Sequence, residues 1–178
     1  MSILGGDLFL TNQVKKLSMP KITIEIKLII YDFDGVMTDN KVYVDSSGNE
    51  TVQVNRADGL GIAEIKKLGI EQIIISTEQN PVVSARAHKV GIPCLQGIEN
   101  KKMALIDYCE NNDIEIENVA YVGNDINDKG AMETVGITFC PADAHKSIKT
   151  ISGHVLETRG GHGVVRELFD LITIKRGE

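Results

Sequence analysis

The fold of this chain is decided by residues 26–39, IKLIIYDFDGVMTD. The first six residues are mostly apolar, which predicts a buried β-strand. Asp32 and Asp34 follow two positions apart, and the alternation of side chains along an extended backbone places both carboxylates on one face. Gly35 then allows the backbone to turn away. Because two carboxylates this close repel each other unless a cation, a proton or a ligand neutralises them, the pair indicates catalysis or binding. The alternative is a polar turn with two solvated acids.

The composition predicts a single cytoplasmic domain. The chain has 178 residues and a formal net charge of -6, from 19 basic and 25 acidic residues. No basic run could follow a phosphate backbone, so a nucleic-acid partner is not expected. No apolar stretch is long enough for a membrane span, and no leader is recognisable, so no membrane partner is expected. The cysteines are odd in number and widely spaced, which predicts free thiols in a reducing compartment: Cys94, Cys109 and Cys140.

Residues 1–25 are predicted to be an N-terminal lead-in or linker. They contain short apolar groups that Pro20 interrupts. The predicted domain therefore covers residues 26–178.

Strands and helices alternate along this domain. Two alternating segments, 41–44 and 50–54, flank turn residues and predict a β-hairpin. The run Ile73-Ile74-Ile75 predicts a strand buried on both faces of a parallel sheet. Further strands are predicted at 93–95, 119–122 and 136–139, and helices at 59–68, 81–90, 101–111, 129–135, 144–148 and 164–174. The predicted fold is α/β, with a Rossmann-like, mostly parallel sheet flanked by helices and a β-hairpin inserted after the first strand.

Polar side chains follow several of the predicted strands. Ligands of such folds bind at the carboxyl ends of the strands. Each residue has a structural alternative, since a serine at a strand end commonly caps a helix and a lysine in a first helical turn is commonly solvated. Their shared location predicts one site, formed by Asp32, Asp34, Ser76, Thr77, Glu78, Lys101, Asn124, Asp125 and Asp128.

These residue types predict metal-assisted phosphoryl transfer. Mg²⁺ is expected to bind Asp32, the backbone carbonyl of Asp34, and either Asn124 or Asp125. Asp32 is the predicted nucleophile. Asp34 is the predicted acid and base, which protonates the leaving alkoxide and then activates water.

The remaining polar groups fit the same reaction. Lys101, the Ser76 hydroxyl and backbone N–H groups are suited to hold the negative charge of the transition state. Asp128 is expected to support them.

Four segments resemble the haloacid dehalogenase phosphatase superfamily: DFDGVMTD (32–39), IIST (74–77), QGIENK (96–101) and GNDIND (123–128). The chain is most similar to its small members, which have a hairpin in place of a cap domain. These hydrolyse 3-deoxy-octulosonate 8-phosphate or nine-carbon, sialic-acid-type 9-phosphates, and one forms the C-terminal module of acylneuraminate cytidylyltransferases. The resemblance covers residues 26–174 and implies a homotetramer.

The resemblance also suggests a substrate. Octulosonate phosphatases typically carry Gly-Arg after the second motif, whereas the nine-carbon branch has Glu, which stands here as Glu78 and is followed by Arg86 and Lys89. This favours a nonulosonate 9-phosphate, with octulosonate 8-phosphate as the alternative. The other expected substrate contacts are Gly35, Thr77, Asp58 and Arg166.

The glycine-rich tail leaves two alternatives open. His162 is a candidate substrate contact, because in relatives this tail can reach the site of an adjacent subunit. Gly160, Gly161 and Gly163 equally predict a flexible connection.

Asn124 departs from the pattern of the superfamily, whose phosphatases more often have Asp there. An amide oxygen can bind Mg²⁺ but carries no charge, so weaker metal binding is expected unless Asp125 compensates. This keeps open a second function, that of an auxiliary or oligomerisation module of a cytidylyltransferase. A receiver domain with a phosphorylatable aspartate is less consistent with Asp-x-Asp-Gly followed by a hairpin.

Overall fold

The computed structural model describes residues 24–174. Its centre is a sheet of six parallel strands in the order β5-β4-β1-β6-β7-β8. The strands are β1 (Leu28–Tyr31), β4 (Glu71–Ile75), β5 (Cys94–Leu95), β6 (Val119–Val122), β7 (Ile137–Cys140) and β8 (His154–Val155). Because β1 lies in the middle of this order, the residues that follow it emerge at the centre of the sheet edge.

β1 has neighbours on both sides and layers on both faces. Leu28 is in register with Glu71 of β4 and with Val119 of β6. All four residues of β1 are fully buried. This double burial is the physical reason for the continuous apolar run in the sequence.

Within residues 24–174, six helices cover the two faces of the sheet. One apolar core lies under α1 (Arg56–Lys67), α2 (Val82–Val90) and α6 (Val164–Ile174). The other lies under α3 (Lys101–Asn111), α4 (Lys129–Met132) and α5 (Lys146–Ile151). Two short 3-10 turns, Ile116–Asn118 and Ile126–Asp128, precede β6 and α4.

A separate antiparallel hairpin follows β1. It consists of β2 (Thr38–Val44) and β3 (Glu50–Val54). Asp45 holds its turn, since Oδ1 accepts hydrogen bonds from the backbone N–H groups of Ser47 (2.8 Å) and Asn49 (2.9 Å). Part of the hairpin is strongly exposed, with 69% of Tyr43 accessible to solvent.

The predicted fold class is confirmed, and the local differences have simple causes. α1 begins at Arg56, three residues before the predicted start, because the Asn55 side chain caps it by accepting from Ala57 N (2.9 Å). The predicted helix 129–135 ends at Met132. β8, which has two residues, was not predicted.

Two further predictions concern the whole chain. All three cysteines are free, as expected. Within residues 24–174, no helix combines the length and the apolar character that a membrane span requires. The lead-in predicted for residues 1–25 lies outside the described residues, apart from its last two positions.

Candidate active site

The chain leaves β1 through a tight turn, residues 32–39, called the acidic turn below. The carbonyl of Phe33 accepts hydrogen bonds from the N–H groups of Met37 (2.9 Å) and Thr38 (3.2 Å). Gly35 has a positive φ of 82°, which favours glycine, and a Cβ at this position would overlap the side-chain amide of Asn124. The turn therefore presses closely on the loop after β6, as the common location of the two segments predicted.

A buried cluster of charges lies beside this turn. Lys101 is the first residue of α3, and its ammonium is 2.7 Å from Asp32 Oδ1 and 2.7 Å from Asp128 Oδ1. All three side chains are almost completely buried. Asp32 Oδ1 also accepts from Phe33 N (2.7 Å). Both of these contacts use Oδ1, and within residues 24–174 no hydrogen bond or ion pair to Oδ2 is found.

Asp128 organises the loop after β6. Its Oδ1 accepts from the Tyr121 hydroxyl (3.0 Å) as well as from Lys101. Its Oδ2 accepts from the backbone N–H groups of Asn124 (2.8 Å) and Asp125 (3.2 Å). Each carboxylate oxygen of Asp128 therefore already has two donors.

The cluster shifts the ionisation of its members. Burial and the charge of Asp128 raise the pKa of Asp32 to about 7, against the opposing effect of Lys101. Burial by itself lowers the pKa of Lys101, but the two adjacent carboxylates outweigh it and the net shift is upward. Lys101 is therefore a fixed positive charge, and additional positive charge near Asp32 favours its ionised form.

Asp34 is held differently from Asp32. Its Oδ1 accepts from the hydroxyl of Thr38 (3.2 Å), a fully buried side chain. Burial raises the pKa of Asp34; the hydrogen bond from Thr38 lowers it, and the charge of Glu78 raises it. A raised pKa suits a carboxyl group that must carry a proton in one step of a reaction.

Asn124 provides the test of whether the site suits a cation. Its Oδ1 is buried and has no hydrogen-bond partner within the described residues. An unpartnered buried oxygen is costly unless something binds it, and amide oxygens are ligands of hard cations. Residues 24–174 contain no group of three or more His, Cys, Asp or Glu side chains arranged for a metal. The residues present therefore fit a cation held by a mixture of carboxylate, amide and backbone oxygens.

The loop after β4 forms the next part of the rim. Ser76 is buried, and its hydroxyl accepts from Glu78 N (3.1 Å). Glu78 Oε1 accepts from the N–H groups of Gln79 and Asn80, both at 2.7 Å, so this carboxylate is held in place. Thr77 is exposed. A cavity of about 180 Å³ lies between this loop and the hairpin, and it is lined by Asp34, Asn40, Val42, Glu50, Val52, Glu78, Asn80 and Val82.

Comparison with known proteins places this site in a family. A model of haloacid dehalogenase-like hydrolases matches residues 64–168. The 3-deoxy-D-manno-octulosonate 8-phosphate phosphatase KdsC of Escherichia coli (strain K12) is 39% identical over 154 residues, which cover 86% of this chain and 82% of KdsC. This chain belongs to the haloacid dehalogenase-like hydrolase family.

Solved structures of the family agree in fold. A HAD family hydrolase of Streptomyces avermitilis is 46% identical with a TM-score of 0.81, and the match covers 83% of this chain and 84% of that one. The 3-deoxy-D-manno-octulosonate 8-phosphate phosphatase of Moraxella catarrhalis is 32% identical with a TM-score of 0.81, over 84% and 87% of the two chains. That structure contains magnesium, phosphate and a KDO molecule. The family and these relatives confirm the predicted enzyme class, a phosphatase, and magnesium in a relative supports the predicted cofactor.

Several residues expected at the site of this hydrolase lie elsewhere. Asp58 is buried between α1 and α6, and its Oδ1 accepts from Val165 N (2.9 Å). Arg86 Nη2 donates to the carbonyl of Asn55 (2.8 Å), directly before α1. These two residues join α1, α2 and α6, so their placement does not support the predicted substrate contacts. Lys89 is exposed on α2.

The tail residues have the following positions. Arg166 pairs with Asp170 (3.5 Å) along α6 and lies over the ring of Phe169. His162 is exposed and lies 2.7 Å from the carbonyl of Gly160 through Nδ1. The tail glycines are not a flexible connection in this structure, because Gly161 N donates to Val36 O (3.0 Å) of the acidic turn.

Three groups at or beside the site were not predicted. Thr38 donates a hydrogen bond to Asp34, and Tyr121 donates one to Asp128. Asp143 accepts from Gly160 N (2.9 Å) and so holds the glycine-rich tail. Thr38 lies in the acidic stretch itself, and its position four residues after Asp34 was the available indication. Tyr121 and Asp143 carry no such indication, because their partners come from other elements.

Proposed function

We propose that this chain is a Mg²⁺-dependent phosphatase that hydrolyses the phosphomonoester of a sugar acid. The observation that carries the proposal is the buried ammonium of Lys101, 2.7 Å from both Asp32 and Asp128. A lysine is almost never fully buried unless it is paired, and here it lies beside a carboxylate with a free oxygen at the end of the central strand. This arrangement suits attack by Asp32 on a phosphate whose charge Lys101 neutralises.

The reaction proceeds in two displacements. Asp32 Oδ2 attacks phosphorus, the bond from phosphorus to the sugar oxygen breaks, and protonated Asp34 donates its proton to that oxygen. Water then attacks the phosphorus of the aspartyl phosphate and gives a proton to Asp34. The bond to Asp32 breaks and inorganic phosphate leaves. During both displacements Lys101 and the Ser76 hydroxyl offer hydrogen bonds to the phosphate oxygens.

The residues proposed to hold Mg²⁺ are Asp32, the backbone carbonyl of Asp34, and Asn124 or Asp125. When bound, Mg²⁺ supplies positive charge that offsets the charge of the phosphate group. The unpartnered Oδ1 of Asn124 favours this residue over Asp125, whose Oδ1 already accepts from Ile126 N (2.7 Å).

Two sugar-acid phosphates are candidate substrates. The relatives that act on 3-deoxy-D-manno-octulosonate 8-phosphate support an octulosonate 8-phosphate. Glu78, at the position where the nine-carbon branch carries Glu, supports a nonulosonate 9-phosphate. The cavity beside Asp34 contains Glu50 and Glu78 and no cationic side chain, so it suits hydroxyl groups of either sugar rather than its carboxylate.

The other predictions about partners stay predictions. The exposed hairpin residues Val42, Tyr43 and Val44 offer apolar surface that a homotetramer would bury. The cytoplasmic location likewise stays a prediction. An auxiliary module of a cytidylyltransferase is disfavoured, because such a module has no need for a buried Asp-Lys-Asp cluster.

The proposal is tested by phosphate release from octulosonate 8-phosphate and a nonulosonate 9-phosphate, side by side, with and without Mg²⁺. Asp32→Asn should reduce kcat by at least about 10⁴-fold, because it removes the nucleophile. Glu78→Arg should lower kcat/KM for the nonulosonate and not for the octulosonate. Folded wild-type protein that releases no phosphate from either ester would favour the auxiliary module.

A further inference from the structure

The glycine-rich segment 159–163, called the strap below, is fitted against the acidic turn. Gly161 N donates to the carbonyl of Val36 (3.0 Å). A Cβ at Gly160 would meet the carbonyl of Gly35, and one at Gly161 would meet other backbone atoms of the turn. Backbone can approach backbone this closely only where side chains are absent. The position of the strap therefore constrains the position of the turn.

Asp143 fixes the strap from the other side. It lies in the loop after β7, where Oδ1 accepts from Gly160 N (2.9 Å) and Oδ2 pairs with Arg159 Nε (3.3 Å). Burial alone would raise the pKa of Asp143, but these two hydrogen bonds lower it below its usual range. Asn55 Nδ2 also donates a longer hydrogen bond to the carbonyl of Gly161 (3.4 Å). Because the hydrogen bonds of Asp143 involve a charged group, they hold the strap more strongly than the hydrogen bond from Asn55.

The constraint reaches Asp34 through Thr38. The Thr38 hydroxyl donates to Asp34 Oδ1, and it accepts from the N–H groups of Gly35 and Asn40, all at 3.2 Å. The carbonyl of Thr38 is one of the atoms against which Gly160 lies. The strap thus packs against Thr38, whose side chain orients the proposed general acid Asp34. No contact between the strap and Asp34 itself is needed.

We propose that Asp143 is a positioning residue for Asp34 and that it acts through the strap and Thr38. The inference rests on the proposed function, in which Asp34 donates a proton to the leaving oxygen. When the strap no longer holds the turn, the carboxyl group of Asp34 is no longer aligned with the leaving oxygen. Asp32 can still attack phosphorus, because Lys101 holds its side chain separately. Asp143 therefore matters most for esters whose leaving group needs protonation.

The test compares two esters in saturating Mg²⁺. Octulosonate 8-phosphate has an alkoxide leaving group that needs a proton, whereas p-nitrophenyl phosphate has a leaving group that does not. The variants are Asp143→Ala, Asp143→Asn, which retains an acceptor for Gly160, and the control Glu64→Ala. Glu64 forms a surface ion pair with Lys67 and is 37% exposed, close to the 35% of Asp143. The quantity compared is kcat/KM, which excludes the later hydrolysis of the aspartyl phosphate.

Asp143→Ala should lower kcat/KM for the alkyl ester about tenfold or more, and for p-nitrophenyl phosphate less than about threefold. Asp143→Asn should give a smaller effect of the same kind, and Glu64→Ala none. Equal losses on both esters, or no loss on either, would overturn the inference, because a general structural role predicts no difference between leaving groups.

The rates of amide hydrogen exchange provide a second measurement, which does not depend on catalytic turnover. Asp143→Ala should speed exchange in both the strap and residues 33–40. Faster exchange in the strap alone would show that Asp143 does not hold the turn. Wild-type protein that hydrolyses neither ester, and no nonulosonate 9-phosphate either, would refute the proposed function, while the exchange rates would still decide whether Asp143 positions the turn.

Discussion

Asp128→Asn tests the buried charge cluster most directly, because it removes one charge and keeps the shape of the side chain. In the wild type, Lys101 and Tyr121 donate to one oxygen of Asp128, and the N–H groups of Asn124 and Asp125 donate to the other. An asparagine has a single accepting oxygen and an NH₂ group. Whichever way it is oriented, two of the four donors face a group that cannot accept.

The cost of this change follows from the burial of the site. A buried donor without an acceptor costs about 1–3 kcal/mol, so two such donors cost about 2–6 kcal/mol. The loss of the Asp128 charge also relieves the repulsion that helps to raise the pKa of Asp32, which offsets on the order of 1 kcal/mol. We expect the free energy of unfolding to fall by about 3 kcal/mol, as for other broken buried ion pairs.

Urea unfolding at pH 7.5 without metal measures this loss. Asp107→Asn is the matched control, because Asp107 lies on the exposed side of α3, and its effect should stay within about 0.5 kcal/mol. A loss below about 1 kcal/mol for Asp128→Asn, with an unchanged m-value, would refute the interpretation of Asp128 as the organising acceptor of the site.

Two further predictions concern stability and metal binding. Gly35→Ala should lower the free energy of unfolding by about 1–2 kcal/mol, because φ at this position is +82°. The added Cβ should also displace the side chain of Asn124 and so weaken Mg²⁺ binding. A rise in Tm with added Mg²⁺ as large as that of the wild type would contradict this second effect. Burial raises the pKa of Asp58 from 3.8 to about 6, so the folded protein holds this proton more tightly than the unfolded chain. This contribution to stability is complete below pH 4 and is lost as pH rises through 6, in total about 3 kcal/mol, roughly half of it between pH 5 and pH 7.5. Asp58→Asn should remove that part of the pH dependence in urea unfolding, and an unchanged slope would show that the carboxyl group does not titrate in this way.

Local patterns were sufficient where an element depends on its own residues. The bounds predicted for α3, 101–111, and the start predicted for α6, Val164, are those of the structure, because helical periodicity is a property of consecutive residues. The apolar run before Asp32 predicted the central strand for the same reason. The acidic pair, its glycine and the order of the four motifs predicted the family, and the comparisons confirmed it.

Only the tertiary structure decided which distant groups meet. Asp58 belongs to the same kind of acidic-glycine pattern as the site residues, yet it contacts Val165, 107 positions away, between two helices. Asp143 and the strap likewise come together from separate elements and bear on the acidic turn. The sequence by itself determined most of the strands and helices and the chemistry available at the sheet edge, because these follow from side-chain type and local spacing. The packing of helices on the sheet determined which of those side chains line the site and which hold it in place.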